Sequence, residues 1–151
     1  IVSAHPGLDK KEDQISPSPM PGGRLRENVY FLMLRALNLY QSSYLPKQEA
    51  LGTSISEARA IILLSDSPEL FADGIPQFAN APQSEVIEIL KNLSDRGWLV
   101  QAGNGYTLTD KGQIKAEQLW ALADTHEGII FKDLSDAEMT SYKHILRNVG
   151  S

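Results

Sequence analysis

Three polar side chains, Gln83, Ser84 and Lys91, have the types and the spacing to contact a nucleic acid. A glutamine amide can pair with an adenine edge, a hydroxyl at a helix N-terminus can meet a phosphate, and an ammonium can neutralise a second phosphate. The surrounding segment has apolar residues at helical spacing, so we expect all three side chains on the exposed face of one helix. Two glutamates of the same segment, Glu85 and Glu88, repel phosphates, although a glutamate can accept a hydrogen bond from cytosine. The alternative is a solvated helix face with no role in nucleic-acid binding.

The helix that positions these side chains should begin at Pro82, which suits a first helical turn, and end near Gly97, which suits a C-terminal cap. Four apolar residues at helical spacing are expected to form its buried face: Val86, Ile87, Leu90 and Leu93.

A β-hairpin should follow this helix directly. Residues 98–101 and 106–108 predict two strands, and the Ala-Gly-Asn-Gly sequence between them predicts a tight turn. Asn104 at the tip tolerates a positive φ, so it is first of all a turn residue. Contact of Asn104 with a DNA minor groove is the second interpretation.

A long helix capped by Thr109 or Asp110 should continue from the hairpin to about Phe131. Lys111 and Lys115 lie four residues apart near its start, where they either contact phosphates or serve only solubility. The sequence Ser-Asp-Ala-Glu at 135–138 is a capping box that opens a final helix. That helix has an apolar stripe: Met139, Tyr142, Ile145, Leu146 and Val149.

Residues 29–40 predict a helix that is apolar nearly all round, with only Arg35 and Asn38 as polar exceptions. Such a helix must be buried on more than one side, either against its own core and a second subunit or at the centre of a monomer. Arg35 and Asn38 share a face, and they either register a dimer core or line a ligand cavity that Tyr30 helps to wall. Pro46 should end this helix.

A second helix should start after Gly52, capped by Ser54 or Ser56 with Glu57 in its first turn. Its expected apolar face consists of Ala58, Ile61, Ile62 and Leu64. A short helix is expected near residues 76–79.

The charge of the chain limits how it can hold a nucleic acid. Its 151 residues carry a formal net charge of −5. Residues 74–115 contain four acids and four bases, so the segment that would face DNA is neutral. Its bases would have to cluster on one side to bind phosphates.

Several classes of function have no support in the sequence. No nucleophile elbow, glycine-rich phosphate loop, HExxH motif or paired catalytic constellation is present, so we expect no catalytic residue and no enzymatic activity. His5, His126 and His144 have no metal-ligand spacing, so neither a metal site nor a cofactor is expected. The chain has no cysteine and no apolar run of roughly 18 residues. We therefore expect no membrane span and a cytoplasmic location.

Three segments of the chain resemble the MarR family of transcriptional regulators. LGTSISEARAIILL is similar to the second helix of the family, and VIEILKNLSDRGWLV is similar to the recognition helix with the first wing strand. YTLTDKGQIKAEQL is similar to the junction from the second wing strand to the dimerisation helix, with the L-T-x-x-G motif present as Leu108, Thr109 and Gly112. The resemblance covers residues 24–149.

The resemblance implies a mainly α fold with a small two-stranded β wing, in which a winged-helix DNA-binding domain joins a helical dimerisation region. Residues 24–151 would form this single domain after a flexible N-terminal arm at 1–23. Residues 24–48 and 110–149 would be dimerisation helices, and residues 53–109 the winged helix-turn-helix. The partners implied are a second copy of the chain, double-stranded DNA read in both grooves, and a small-molecule effector.

Two features depart from the family pattern. The wing tip has neither the acidic residue nor the arginine that the family places before its second strand, and the turn between Phe78 and Val86 is short.

The expected function is a ligand-responsive regulator whose ligand disfavours the dimer shape that spaces two recognition helices about 34 Å apart. The alternative is a winged-helix dimer that no longer reads DNA and acts as a protein-interaction or ligand-sensing module.

Overall fold

The computed structural model describes residues 19–66, 82–103 and 105–151. The elements in this part of the chain are a 3₁₀ turn (Gly23–Glu27), α1 (Val29–Ala50), α2 (Ile55–Asp66), α3 (Gln83–Asp95), β1 (Leu99–Ala102), β2 (Gly105–Leu108), α4 (Asp110–Ile130) and α5 (Asp136–Asn148). The mainly α fold with a two-stranded antiparallel wing is confirmed. The short helix expected at 76–79, residues 1–18 of the expected arm and Asn104 lie outside the described residues.

Helix α1 continues past Pro46, so the prediction that this proline ends the helix is wrong. An interior proline removes one backbone hydrogen bond and costs about 3 kcal/mol. The helix continues to Ala50 in spite of this cost. At its end the amide of Leu51 donates to the Gln48 carbonyl at 3.0 Å, and the Gln48 side chain is buried. Gly52, with a φ of 80°, then ends the helical path.

Helix α2 begins with a capping box, and Ser54 is the cap. The amide of Glu57 donates to the Ser54 hydroxyl at 3.1 Å, and the Ser54 amide donates to the Glu57 carboxylate at 3.1 Å. Ile62 packs against the core as a half-buried residue, and Ala60 is buried as well. The other three predicted residues, Ala58, Ile61 and Leu64, are buried as expected.

The chain divides into two compact units. The winged-helix unit spans Tyr44–His126 and contains the buried core. This core is drawn from α2, α3, α4 and both strands: Ala58, Ala60, Ile61, Leu64, Ile89, Leu93, Trp98, Leu99, Leu108, Ala116 and Leu119.

The helical unit comprises, in its described part, residues 19–43 and Glu127–Ser151. The predicted capping box of α5 is present: the Glu138 amide donates to the Ser135 hydroxyl at 3.1 Å, and the Ser135 amide donates to the Glu138 carboxylate at 3.0 Å. These bonds from the Ser135 backbone and side chain hold the pKa of Glu138 below its ordinary value. None of the helices described is both long and apolar enough to cross a membrane.

Candidate nucleic-acid interface

Helix α3 packs on the core through one side. One of the residues predicted to lie on that side is exposed instead. Ile89 and Leu93 are buried, and Val86 and Leu90 pack against the core as half-buried residues. Ile87 was expected among them, but its side chain is 71% exposed. Residues two apart in a helix point to different sides, so Ile87 and Ile89 cannot both join the core.

The opposite side of α3 carries Ser84, Ile87, Glu88 and Lys91, which are all exposed. Their spacing of three, four and seven residues places them along one face of the helix. We call these four residues the outward stripe. Ser84 and Lys91 were predicted as DNA-facing residues and lie on this stripe. Gln83, the third predicted residue, is the first residue of α3.

The C-terminus of α3 is fixed by a Schellman motif. The Trp98 amide donates to the Leu93 carbonyl at 3.0 Å, and the Gly97 amide donates to the Ser94 carbonyl at 3.0 Å. Gly97 has a φ of 74°, a conformation that glycine adopts without a Cβ penalty. Leu93 and Trp98 both belong to the buried core. The turn from α3 into the wing is therefore anchored.

The wing is a short antiparallel hairpin. The register pairs Leu99 with Leu108 at the base and Ala102 with Gly105 at the tip. Leu99 and Leu108 are buried, whereas most of the other strand residues are exposed. Gly103 has a φ of 61°, as the predicted tight turn requires.

The L-T-x-x-G junction joins the wing to α4 through Thr109. The Thr109 hydroxyl donates to the Gly97 carbonyl at 2.6 Å and accepts the Gly112 amide at 3.1 Å. The Thr109 amide donates to the Trp98 carbonyl at 3.1 Å. One side chain thus caps α4 and ties it to the turn at the end of α3.

Gly112 is required by a close approach of two backbones. A Cβ at this position would overlap the Trp98 carbonyl oxygen and would lie 3.2 Å from Leu108 Cδ2. Carbon–carbon contacts are optimal at about 3.5–4.0 Å, and the carbonyl belongs to the backbone, so neither neighbour can yield easily. The glycine of the motif therefore sets how closely α4 approaches the wing.

The Arg96 guanidinium contacts two other residues of the winged-helix unit. Its guanidinium donates to the Glu57 carboxylate at 2.9 Å and stacks over the Trp98 ring at 4.2 Å from the ring centroid. This pair links the first turn of α2 to the end of α3.

Lys111 and Lys115 also contact carbonyls of other elements. Lys111 Nζ donates to the Arg96 carbonyl at 3.1 Å, and Lys115 Nζ donates to the Leu51 carbonyl at 2.8 Å. An ammonium has three donors, so Lys111, which is exposed and was predicted to contact DNA, keeps two donors for other partners. Sequence reasoning missed the tertiary role of both lysines, because their partners are distant in sequence.

Lys91 is the cation that α3 itself presents. It makes no hydrogen bond or ion pair with another residue of the described chain, and it lies on the outward stripe. The same helix carries three acids, Glu85, Glu88 and Asp95. Because α3 has three acids and one base, phosphate attraction at this helix depends on Lys91.

The helical unit contains an apolar groove with a volume of about 560 Å³. Its wall is mostly aliphatic and aromatic: Tyr30, Met33, Leu34, Ala36, Leu37, Tyr40, Glu127, Phe131, Met139, Tyr142, Lys143 and Leu146. Tyr30, a predicted ligand contact, lines this groove. The other two predicted contacts, Arg35 and Asn38, are not among the lining residues; Arg35 is half-buried and Asn38 is exposed.

One ion pair belongs to the lining of this groove. Lys143 Nζ lies 2.6 Å from a Glu127 carboxylate oxygen. The Phe131 and Tyr142 rings make a tilted contact, with 5.7 Å between centroids and 51° between ring planes. The groove therefore combines aromatic walls with one ion pair, which suits a flat apolar molecule that carries a polar group.

The chain is similar in fold to solved structures of MarR family proteins. The MarR family protein Rv2887 of Mycobacterium tuberculosis, in complex with DNA, is 21% identical with a TM-score of 0.71, and the match covers 82% of this chain and 98% of that chain. A MarR family transcriptional regulator from Silicibacter pomeroyi is 22% identical with a TM-score of 0.71, and the match covers 83% and 89% of the two chains. CouR from Rhodococcus jostii RHA1, bound to p-coumaroyl-CoA, is 15% identical with a TM-score of 0.71 over 85% and 95%. No model of a known protein family matches the sequence.

At these identities the likeness shows the fold. The chain has the winged-helix architecture of MarR family transcriptional regulators, and the resemblance predicted from the three sequence segments is confirmed at that level.

Proposed function

We propose that this protein is a dimeric, ligand-responsive DNA-binding regulator of the MarR type, located in the cytoplasm and without enzymatic activity. The observation that carries the proposal is α3 itself. Its inner side and its C-terminus are fixed by the core and by the Schellman motif, while its outward stripe is exposed. A helix held in this way beside a hairpin wing suits insertion into a major groove. The DNA-bound structure of Rv2887, a protein of the same fold, supports this assignment.

In this proposal α3 binds the major groove and the wing binds the minor groove. Ser84, near the N-terminus of α3, donates to a phosphate, and Gln83 pairs with an adenine edge. Lys91 neutralises a phosphate, and Lys111 does so with the donors that its carbonyl contact leaves over. Asn104 at the wing tip contacts the minor groove.

A second copy of the chain covers the apolar surface of the helical unit. Val29, Ile145 and Val149 are each well over half exposed in the single chain, and large exposed apolar patches mark interaction sites. A dimer also explains the use of one winged helix per chain, because two copies read two half-sites spaced about one helical turn apart. Arg35 and Asn38 then register the dimer core.

A small aromatic acid is the effector that the groove of the helical unit fits best. The volume of about 560 Å³ lies within the usual range for small-molecule sites. Rv2887 has been solved with salicylic acid and CouR with p-coumaroyl-CoA, and both compounds contain an aromatic ring. In this protein Tyr30 would pack on the ring, and the ligand carboxylate would pair with Lys143 in competition with Glu127. Such a ligand shifts the dimer only if it binds one dimer shape more tightly than the other.

Fluorescence anisotropy with duplexes from the region upstream of the gene tests DNA binding. We expect the full-length protein to prefer one upstream duplex over a random duplex of equal length at moderate salt. Equal, weak binding to both duplexes would contradict the proposal and favour a winged-helix dimer that has lost DNA readout. That alternative has one observation in its favour, namely that Arg96, Lys111 and Lys115 already contact other parts of the chain.

Lys91→Ala gives a sharper test of the interface. The variant should weaken binding to all duplexes alike and reduce the slope of log affinity against log salt by about one unit. Lys132→Ala is the matched control, because Lys132 is exposed in the helical unit and outside the proposed interface. An unchanged salt slope in Lys91→Ala would remove this residue from the interface.

Sedimentation and titration test the other two partners. Val149→Glu should shift the protein towards monomer, whereas Val100→Glu, on the wing, should leave the dimer intact. Salicylate, added to the complex of wild-type protein and DNA, should release the duplex in a saturable way. If Val149→Glu remains a dimer, the proposed dimer interface is contradicted. If the affinity for DNA does not change with salicylate, the proposed effector is contradicted.

A further inference from the structure

Ile87 is an apolar side chain that the fold of α3 does not use. It is 71% exposed, and the core contacts of the helix are made by residues on its other side. A β-branched residue is also a weaker helix former than the straight-chain residues that suit a solvated position. Neither packing nor helix formation therefore accounts for isoleucine at this position.

The neighbours of Ile87 on the outward stripe define its surroundings. Ser84 lies one turn before it, and Lys91 lies one turn after it. A hydroxyl and an ammonium are groups that contact phosphates, so these two ends of the stripe fit the sugar-phosphate backbone. The middle of the stripe, Ile87 and Glu88, is then the part that points towards base edges.

The chemistry of these two side chains selects particular bases. An aliphatic side chain in the major groove contacts the C5-methyl group of thymine. A carboxylate only accepts hydrogen bonds, and its partner at a base edge is the amino group of cytosine. The stripe carries no arginine, so the bidentate reading of guanine that arginine provides is not available from its four residues.

We infer that Ile87 packs on a thymine methyl group and that Glu88 accepts a hydrogen bond from a cytosine amino group, so that each half-site contains a thymine and a cytosine in neighbouring base pairs. The two side chains are one residue apart, which is about 1.5 Å along the helix axis, less than the spacing of about 3.4 Å between base pairs. This inference rests on the proposed function, because it requires α3 to lie in a major groove.

Replacement of thymine by deoxyuridine tests the contact with Ile87, because it removes only the methyl group. A preferred duplex is first selected with the full-length protein from a random pool. Each thymine of a half-site is then replaced in turn, and affinities are measured by anisotropy. At one position the wild-type protein should lose about fourfold in affinity, the equivalent of one buried methyl group. Ile87→Ala should bind the two duplexes equally.

Ile114→Ala is the matched control, since Ile114 is 61% exposed on α4 and lies outside the outward stripe. It should keep the full fourfold sensitivity to deoxyuridine. Suppose that the wild-type protein selects a duplex and yet loses no more affinity than Ile87→Ala at every thymine replaced by deoxyuridine. That result overturns the inference and leaves the proposed function standing. If no duplex is preferred, both are overturned.

Glu88→Gln tests the cytosine contact separately. Glutamine both donates and accepts, and it pairs with adenine. The ratio of affinities for duplexes with cytosine and with adenine at the neighbouring position should fall at least about fivefold relative to the wild-type protein. The ratio is read rather than a single affinity, because loss of the negative charge strengthens binding to every duplex. An unchanged ratio would remove Glu88 from base reading.

Discussion

The winged-helix unit and the helical unit differ in how many apolar residues they bury within a single chain. In the described chain, all buried apolar residues lie in the winged-helix unit, from Ala58 to Leu119. The described residues of the helical unit include no buried residue at all, and Val29 and Val149 are about 70% exposed. The helical unit nevertheless contains the long apolar stretch at residues 29–40.

This contrast separates two sources of stability. The winged-helix unit gains its stabilisation within one chain, because its apolar side chains leave water when the chain folds. Burying one large aliphatic side chain is worth about 1.5–3 kcal/mol, and the helical unit can gain this only if a second surface covers it. Its stability should therefore depend on protein concentration.

The same substitution in the two units should give the largest difference. Leu119→Ala, at a fully buried position, should lower the free energy of unfolding by about 2–5 kcal/mol at every protein concentration. Leu146→Ala, in the helical unit, should have a smaller effect that grows with protein concentration, because the dimer that covers this unit forms at higher concentration. Chemical denaturation at two concentrations a hundredfold apart measures both. A concentration-independent loss in Leu146→Ala would contradict the contrast.

Two glycines of α4 should respond to alanine with opposite signs. Gly112→Ala should destabilise the winged-helix unit by about 1–3 kcal/mol, because the added Cβ overlaps the Trp98 carbonyl. Gly128→Ala, where nothing lies within 4 Å of the added Cβ, should instead stabilise the protein by about 0.5–1 kcal/mol through helix propensity. Thermal unfolding of both variants measures the two shifts. Equal shifts would show that the close approach at Gly112 is unimportant.

The threonine of the junction should have a smaller effect. Thr109→Val keeps the shape of the side chain but removes its bonds to the Gly97 carbonyl and the Gly112 amide, at a cost of about 0.5–2 kcal/mol. Thr107→Val, at an exposed position of β2, is the control and should be nearly neutral. If the two variants unfold alike, the hydroxyl of Thr109 does not tie α4 to the turn after α3.

The smallest expected effect concerns pH and the cap of α5. The pKa of Glu138 is lowered in the folded protein by the hydrogen bonds from Ser135. The stability it contributes is therefore complete above its unfolded pKa and is lost as pH falls through its folded pKa. Glu138→Gln should lose less stability on acidification than the wild-type protein, whereas the exposed control Glu117→Gln should follow the wild type. Thermal scans from neutral pH to about pH 3 would show identical slopes for all three if the cap were unimportant.

Local chemistry was predictable from the sequence. The capping box of α5, the serine cap of α2, the glycine after α3 and the tight turn of the hairpin depend on residues within a few positions of one another. Turn and cap preferences act over the same short range, so reading the chain in order was sufficient to place them. Ser84 and Lys91 were expected on the exposed face of α3, and both are exposed.

The errors arose where several faces compete for the same residues. Ile87 and Ile89 both fit a helical apolar pattern, and only the position of the core decides which of them is buried. Pro46 was expected to end α1, but the helix continues to Ala50 in spite of the local cost of a proline. The bond of Lys115 to the carbonyl of Leu51 joins residues 64 positions apart, a separation beyond any local pattern.

The sequence by itself determined the order of elements, the caps, the turns and the winged-helix fold, because these depend on backbone preferences and on the spacing of apolar residues along a segment. The tertiary structure decided which apolar residues remain exposed and which cations are already engaged. It moved Ile87 from the core to the outward stripe and Arg96 into a pair with Glu57. The physical reason is that burial and ion pairing are set by what packs against a residue, and that neighbour is usually far away in the chain.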